Sequence, residues 1–211
     1  MKHRGILIVV SGFSGSGKGT LMKELLSRYP DTYALSISAT TRKPREGEVD
    51  GREYFFISKD EFEKMIAKGD LIEYAKYVEN YYGTPRKYVE QKLEEGKDVI
   101  LEIEIQGALK VKKAFPDTLL LFVTPPTARE LQSRLVGRGT ETMDVIRSRM
   151  NRACEEAEGM DSYDYLIVND NLDSCVEEMH EIIQGEHRRS FRNQTFMKEI
   201  KEDLERLKGE D

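Results

Sequence analysis

GFSGSGKGT, residues Gly12 to Thr20, is the stretch that decides the fold. It follows the apolar run Ile6–Val10 and leads into a helical pattern, Leu21–Arg28. A strand, a glycine-rich loop, a lysine and a helix in that order build a cradle for phosphate. Without a Cβ, glycine lets backbone N–H groups turn inward on an anion. The helix behind the loop adds its unsatisfied N–H groups and the positive end of its dipole. Lys18 supplies a mobile charge for the outer phosphates. Gly12, Ser14, Gly15, Ser16, Gly17, Lys18, Gly19 and Thr20 are therefore the expected nucleotide ligands. The spacing of Gly12, Gly17 and Lys18 matches the nucleotide-binding loop with one departure: Gly19 stands where Ser or Thr ordinarily ligates magnesium, and Thr20 follows it.

Working outward, five apolar runs read as buried strands: Ile6–Val10, Tyr33–Ile37, Val99–Ile103, Leu119–Val123 and Tyr165–Val168. Several are apolar at consecutive positions, as parallel strands covered on both faces require. Helical patterns alternate with them, at Leu21–Arg28, Ala108–Phe115, Ala128–Val136, Val145–Glu158 and Cys175–Ile183. This alternation predicts an α/β fold with a doubly wound, parallel five-stranded sheet. Ligands of such sheets bind at the carboxyl ends of the strands, where the glycine loop lies.

Two stretches interrupt the alternation. Residues 38–87 carry a turn-rich segment, KPREGEVDG, short alternating runs and a helix at Lys59–Lys68, which predicts a small mixed insertion. Residues 129–158 form an Arg-rich helical lid; Arg129 to Arg152 holds six Arg and no Lys. The core of this single domain, 1–211, is then 1–37, 88–128 and 159–211. After Gln184 the chain is polar, but Phe196, Ile200, Leu204 and Leu207 recur at helical spacing and predict a docked terminal helix.

Composition limits the function classes. The chain has 211 residues, enough for a sizeable core, and a net charge of −6. That charge argues against a general binder of nucleic acid or membrane surfaces, so any anion site must be built locally from Arg and backbone amides. No apolar run approaches the ~20 residues of a membrane span, and MKHRGILIVV enters a strand without a cleavage pattern. Cys154 and Cys175 lack metal-ligand spacing and read as reduced, packed thiols of a cytoplasmic protein. The three His residues, His3, His180 and His187, have no evident catalytic partner and are expected at the surface. Composition sets no oligomeric state.

Arg42 and Arg45 lie three residues apart in a loop stiffened by Pro44, a suitable pair for gripping phosphate oxygens. Their segment, SISATTRKPREGEVDGREYFF at 36–56, closely resembles that of guanylate kinase. The resemblance runs from Gly5 to about Arg188 and takes in TTRKPR followed by GE, YFF, LIEYA, NYYGT, LEIEIQG, RLVGRGT and YDYLIVND. It implies an ATP:GMP phosphotransferase of purine nucleotide metabolism, with ATP as co-substrate, Mg²⁺ bridging its phosphates, and GMP bound by the insertion. It implies a GMP-phosphate site of Arg42, Arg45, Tyr54 and Tyr82, and a guanine site of Ser38, Glu73, Thr84 and Glu104. A carboxylate such as Glu73 can accept from both the ring N–H and the exocyclic amine of guanine. In LEIEIQG this chain has Glu102 and Glu104 where the family more often has Asp. Glu102 could anchor magnesium through water or hold the loop. Lid arginines can close over the transferring phosphate; Arg138, Arg149 and Arg152 are the first candidates and Arg134 the next. The resemblance also sets Asn169 beside the adenine. Two other readings are a guanylate-kinase-like module that only binds proteins, and a kinase for another nucleoside monophosphate.

Overall fold

The computed structural model describes residues 4–77, 79–137 and 142–208. In chain order its elements are β1 (Leu7–Gly12), α1 (Lys18–Arg28), β2 (Tyr33–Leu35), β3 (Ala39–Thr40), β4 (Phe55–Phe56), α2 (Lys59–Lys68), β5 (Leu71–Tyr77), β6 (Asn80–Pro85) and α3 (Arg86–Glu94). There follow β7 (Asp98–Glu102), α4 (Ile105–Ala114), β8 (Leu119–Thr124), α5 (Ala128–Gly137), α6 (Met143–Ala157), β9 (Tyr165–Val168), α7 (Leu172–His187) and α8 (Gln194–Lys208).

The central sheet has the order β2-β7-β1-β8-β9, and every pair is parallel. β1, β7 and β8 are apolar at consecutive positions because both their faces are covered, whereas the edge strands β2 and β9 leave Leu35, Leu166 and Val168 exposed. Ile8, Val10, Ile100 and Leu121 meet α1 and α7 through Leu21, Leu25, Val176 and Met179. The alternate residues, Val9, Leu101 and Leu120, meet α3 and α4 through Val89, Leu93, Ala108 and Val111. β1 lies in the middle, so the loop that follows it opens at the centre of the sheet's carboxyl edge. A third cluster, with Phe13, Phe122, Leu131, Leu135, Ile146 and Ala153, seats α5 and α6 beside that loop.

The insertion forms a second sheet, β4-β3-β6-β5, with β3–β4 parallel and the other pairs antiparallel. It has its own small core, where fully buried Phe62 stacks on Tyr81 at 5.1 Å. Its helix α2 begins at a capping box: Ser58 accepts from the Glu61 N–H and Glu61 accepts from the Ser58 N–H.

Four sequence expectations are corrected. Helix α3 is absent from the pattern because only Val89 and Leu93 of its nine residues are buried, too few to set a period. The terminal helix forms, but it does not dock: no residue of α8 is buried, and Phe196 and Leu204 are 50% and 62% exposed. Cys154 is exposed, because Ile146 and Ala153 take the inward face of α6; Cys175 is buried and bonds to the Val168 carbonyl. His180 and His187 have partners. His180 stacks on Tyr29 at 3.8 Å and bonds to the Tyr33 hydroxyl, and His187 pairs with buried Asp98 at 2.9 Å. His3 lies outside the described residues.

Candidate active site

The phosphate loop needs its glycines. Gly15 and Gly17 have φ of +97° and +91°, a region that L side chains rarely adopt. A Cβ on Gly17 would also stand 2.4 Å from the Asn169 amide nitrogen, and one on Gly15 would meet Leu135 at 2.9 Å. The loop is braced from below. The Ser16 carbonyl accepts from Asn169 Nδ2 at 2.8 Å and from Arg134 Nη1 at 3.3 Å. Arg134 also donates to the Asn169 carbonyl at 2.9 Å, which ties α5 to the loop and to the end of β9. Asn169, expected beside the adenine, thus has its amide turned under the loop. This bracing explains the burial of Asn169 just after the end of β9.

Lys18 opens α1 and lies over the loop, donating from Nζ to the Gly12 and Phe13 carbonyls at 2.6 and 3.0 Å. Glu102, at the end of β7, shares a hollow of about 270 Å³ with Ser14, Gly15, Gly17, Lys18, Gly19 and Thr20. A larger cavity of about 540 Å³ adjoins it, lined by Ser14, Lys18, Tyr77, Glu102, Glu104, Arg149 and Arg152 among others. Arg149 reaches across from α6 and donates to the Ser14 hydroxyl. Arg152 is more exposed and pairs with Glu156 one turn on, at 3.1 Å. Arg138 lies outside the described residues.

The insertion brings a second set together. The Arg42 guanidinium sits 5.4 Å from the Tyr54 ring centre, and the Tyr54 and Tyr82 rings meet edge to face at 6.0 Å. Arg42 forms a two-pronged pair with Glu48, each contact 2.9 Å, which raises the Arg42 pKa and lowers that of Glu48. Arg45 is exposed, and its backbone N–H donates to Glu48 at 2.7 Å. Glu48 is absent from the expected site; the only sign of it is the Gly47-Glu48 pair that closes the TTRKPR turn.

A third set surrounds Gly107. Glu73, on β5, accepts from the buried Thr84 hydroxyl on β6 at 2.8 Å. Thr84 therefore orients Glu73. Glu104 caps α4, accepting from the Gln106 and Gly107 N–H groups at 3.0 and 2.8 Å. A carboxylate at this helix N-terminus meets unsatisfied N–H groups and the positive end of the helix dipole. Glu73 Oε2 and Glu104 Oε1 both lie within 4 Å of the point where a Gly107 Cβ would be. Ser38 is half-buried beside β3, and its carbonyl accepts from the Phe55 N–H.

Burial raises the Glu73 pKa above its ordinary 4.5; the Thr84 hydrogen bond opposes this and the Glu104 charge adds to it. A raised carboxyl pKa favours folding below the unfolded value, and that contribution is lost as pH rises through the folded value. A ligand donating N–H groups to the ionised form works in the opposite direction and binds better as pH rises. With Glu73 at the guanine site that the resemblance implies, guanosine, which has no phosphate to titrate, should bind more tightly as pH climbs from 4.5 through the raised Glu73 value, and then level off. Isothermal titration across that range checks this; a flat profile in the native protein contradicts it, and Glu73→Gln should be flat.

The family model for guanylate kinase matches residues 4–186. The chain belongs to the guanylate kinase family. It is 55% identical over 202 residues to a guanylate kinase of Bacillus anthracis, covering 96% of this chain and 98% of that one. It is 54% identical over 187 residues to one of Bacillus subtilis (strain 168), covering 89% and 92%. The crystal structure of guanylate kinase from Anaplasma phagocytophilum superposes with a TM-score of 0.69 at 30% identity, over 90% of each chain. Among the described residues no helix is long and apolar enough to cross a membrane.

Proposed function

We propose that this chain is an ATP:GMP phosphotransferase of the cytoplasm, which takes the γ-phosphate of ATP to GMP and yields ADP and GDP. The observation that carries this reading is one cavity bordered by three devices. The phosphate loop with Lys18 forms one wall, the lid arginines Arg149 and Arg152 another, and Tyr77 and Glu104 stand at the insertion side. Neither nucleic acid nor membrane is part of this reading.

The phosphate-loop amides and Lys18 hold the ATP phosphates. Arg42, Arg45, Tyr54 and Tyr82 hold the GMP phosphate, and Glu73, backed by Thr84, accepts from the guanine edge. An oxygen of the GMP phosphate bonds to the γ-phosphorus as the bond to the ADP oxygen breaks. Charge stabilisation is the main demand of this transfer, and Lys18, Arg149 and Arg152 are the cations at hand. The Glu102 carboxylate and Thr20 hydroxyl are hard oxygen donors beside the loop, and they fit a magnesium ion that keeps waters and phosphate oxygens as its other ligands. When bound, that ion neutralises phosphate charge.

The test of this reading is ADP formation with GMP, AMP, UMP and dTMP as acceptors; turnover confined to GMP is expected, and equal turnover of AMP contradicts it. Arg45→Ala should raise KM for GMP by about 10-fold, the cost of removing one charge-assisted hydrogen bond, with KM for ATP unchanged. Steady-state kinetics with each nucleotide varied in turn checks this, and an effect confined to ATP removes Arg45 from the GMP site.

A further inference from the structure

Glu48 has no role in the phosphotransferase reading, yet it is the residue that sets the pose of Arg42. A guanidinium has five N–H donors, disposed along three edges. On Arg42, Nη1 donates to the Lys43 carbonyl at 2.7 Å and to Glu48 Oε2 at 2.9 Å, which uses both its hydrogens. One Nη2 hydrogen goes to Glu48 Oε1 at 2.9 Å. The Tyr82 hydroxyl also interacts with the guanidinium and helps Glu48 to raise its pKa. The Nε–H and the second Nη2–H lie together on the remaining edge. That edge is suited to take two oxygens of one phosphate. The Tyr54 and Phe56 rings support the guanidinium plane, with centroids 5.4 and 5.6 Å from Arg42 Cζ.

Glu48 also ties down the other arginine. The Oε2 that accepts from Arg42 accepts from the Arg45 backbone N–H at 2.7 Å, and the Glu48 N–H returns to the Arg45 carbonyl at 3.1 Å. Gly47, at φ +83°, makes the turn that permits this return. Glu48 is only 18% exposed, although its loop is otherwise at the surface.

We infer that Glu48 is a positioning residue for the GMP phosphate: it occupies the end-on edge of Arg42 throughout the cycle, turns the Nε/Nη2 edge toward the phosphate, and closes the 42–48 turn that carries Arg45. This rests on the reading of Arg42 as a GMP-phosphate ligand. A bound phosphate does not replace Glu48; it takes the edge that Glu48 leaves. A carboxylate that merely filled the site in the absence of GMP would instead compete with it, so the two roles have opposite signs.

The experiment measures the Kd of GMP and of guanosine by calorimetry, and kcat and KM by coupled assay, for Arg42→Ala, Glu48→Gln, Glu48→Ala and the double variant Arg42→Ala/Glu48→Gln. Glu48→Ala should weaken GMP by about 10-fold, the worth of one charge-assisted hydrogen bond forfeited through a misdirected partner, while guanosine is unchanged. Glu48→Gln keeps one oxygen acceptor and should fall between native and Ala. In the Arg42→Ala background the Gln change should add less than it does in the native protein, since only the part of its effect that passes through the Arg45 turn remains. Tighter GMP binding by Glu48→Gln or Glu48→Ala overturns the inference in favour of competition. Equal weakening of GMP and guanosine overturns it in favour of general collapse of the insertion. If Arg42→Ala weakens GMP and both Glu48 variants do not, Glu48 alone is wrongly assigned. If Arg42→Ala itself leaves GMP binding intact, the phosphate site is elsewhere and the inference falls with it.

Discussion

Lys18→Ala lowers kcat by on the order of 10²–10³-fold, the usual cost of removing one preorganised electrostatic partner of a transition state. The folded structure should survive, because Lys18 lies at the first position of α1 with Nζ on the loop carbonyls of Gly12 and Phe13 and no share in the core. Lys18 lines the same cavity as Arg149 and Ser14, the place that the proposed reading gives to the phosphates. Alanine removes the charge and preserves helix propensity. The measurement is single-turnover phosphoryl transfer at saturating ATP and GMP, together with a thermal melt. An unfolding midpoint close to native with turnover lowered by that factor is the expected pair of results. Turnover within a factor of a few of native removes Lys18 from the chemistry.

Glu73→Gln is the second large effect, and it acts on base choice. The ionised Glu73 offers two acceptors, and guanine offers two parallel N–H donors. Thr84 fixes one oxygen at 2.8 Å, and Oε2 lies toward Gly107 and Glu104. A glutamine in this position turns one acceptor into a donor and leaves a guanine N–H facing another N–H. An unsatisfied buried group costs roughly 1–3 kcal/mol, so kcat/KM for GMP should fall by ~10- to 100-fold. Inosine monophosphate lacks the exocyclic amine and should already be at least ~10-fold poorer with the native protein, at about 1.4 kcal/mol per decade. The variant should bring the two nucleotides closer, chiefly by lowering GMP activity. The measurement is kcat/KM for both nucleotides in both proteins. An unchanged GMP-to-IMP ratio places the guanine contact on another residue, with Glu104 the next to examine.

Different parts of this chain were legible to different degrees. The three inner strands β1, β7 and β8 can be read because they bury alternate residues in two separate cores, which calls for apolar residues at consecutive positions. Helix α2 can be read to its boundaries, since Ser58 and Glu61 mark its start and Gly69, at φ +71°, its end. Helix α3 could not, because it shields the sheet with two side chains and presents the rest to water. The α8 stripe is legible as a helix and misleading as a core element. Periodicity shows that one face is apolar, but not that another surface lies within reach of it.

The phosphate cradle was determined by the sequence alone, because its ligands are consecutive: the nine residues Gly12 to Thr20 and the helix they begin hold the geometry by local backbone preference. The fold class followed for a similar reason, from the alternation of strand and helix patterns along the chain. Only the tertiary structure decided how side chains far apart in the chain divide their hydrogen bonds. It set Asn169 beneath Ser16 and Thr84 on Glu73. Residue type specifies how many donors and acceptors each group carries, but the choice among partners depends on distances that exist only after the β strands pair and the helices pack.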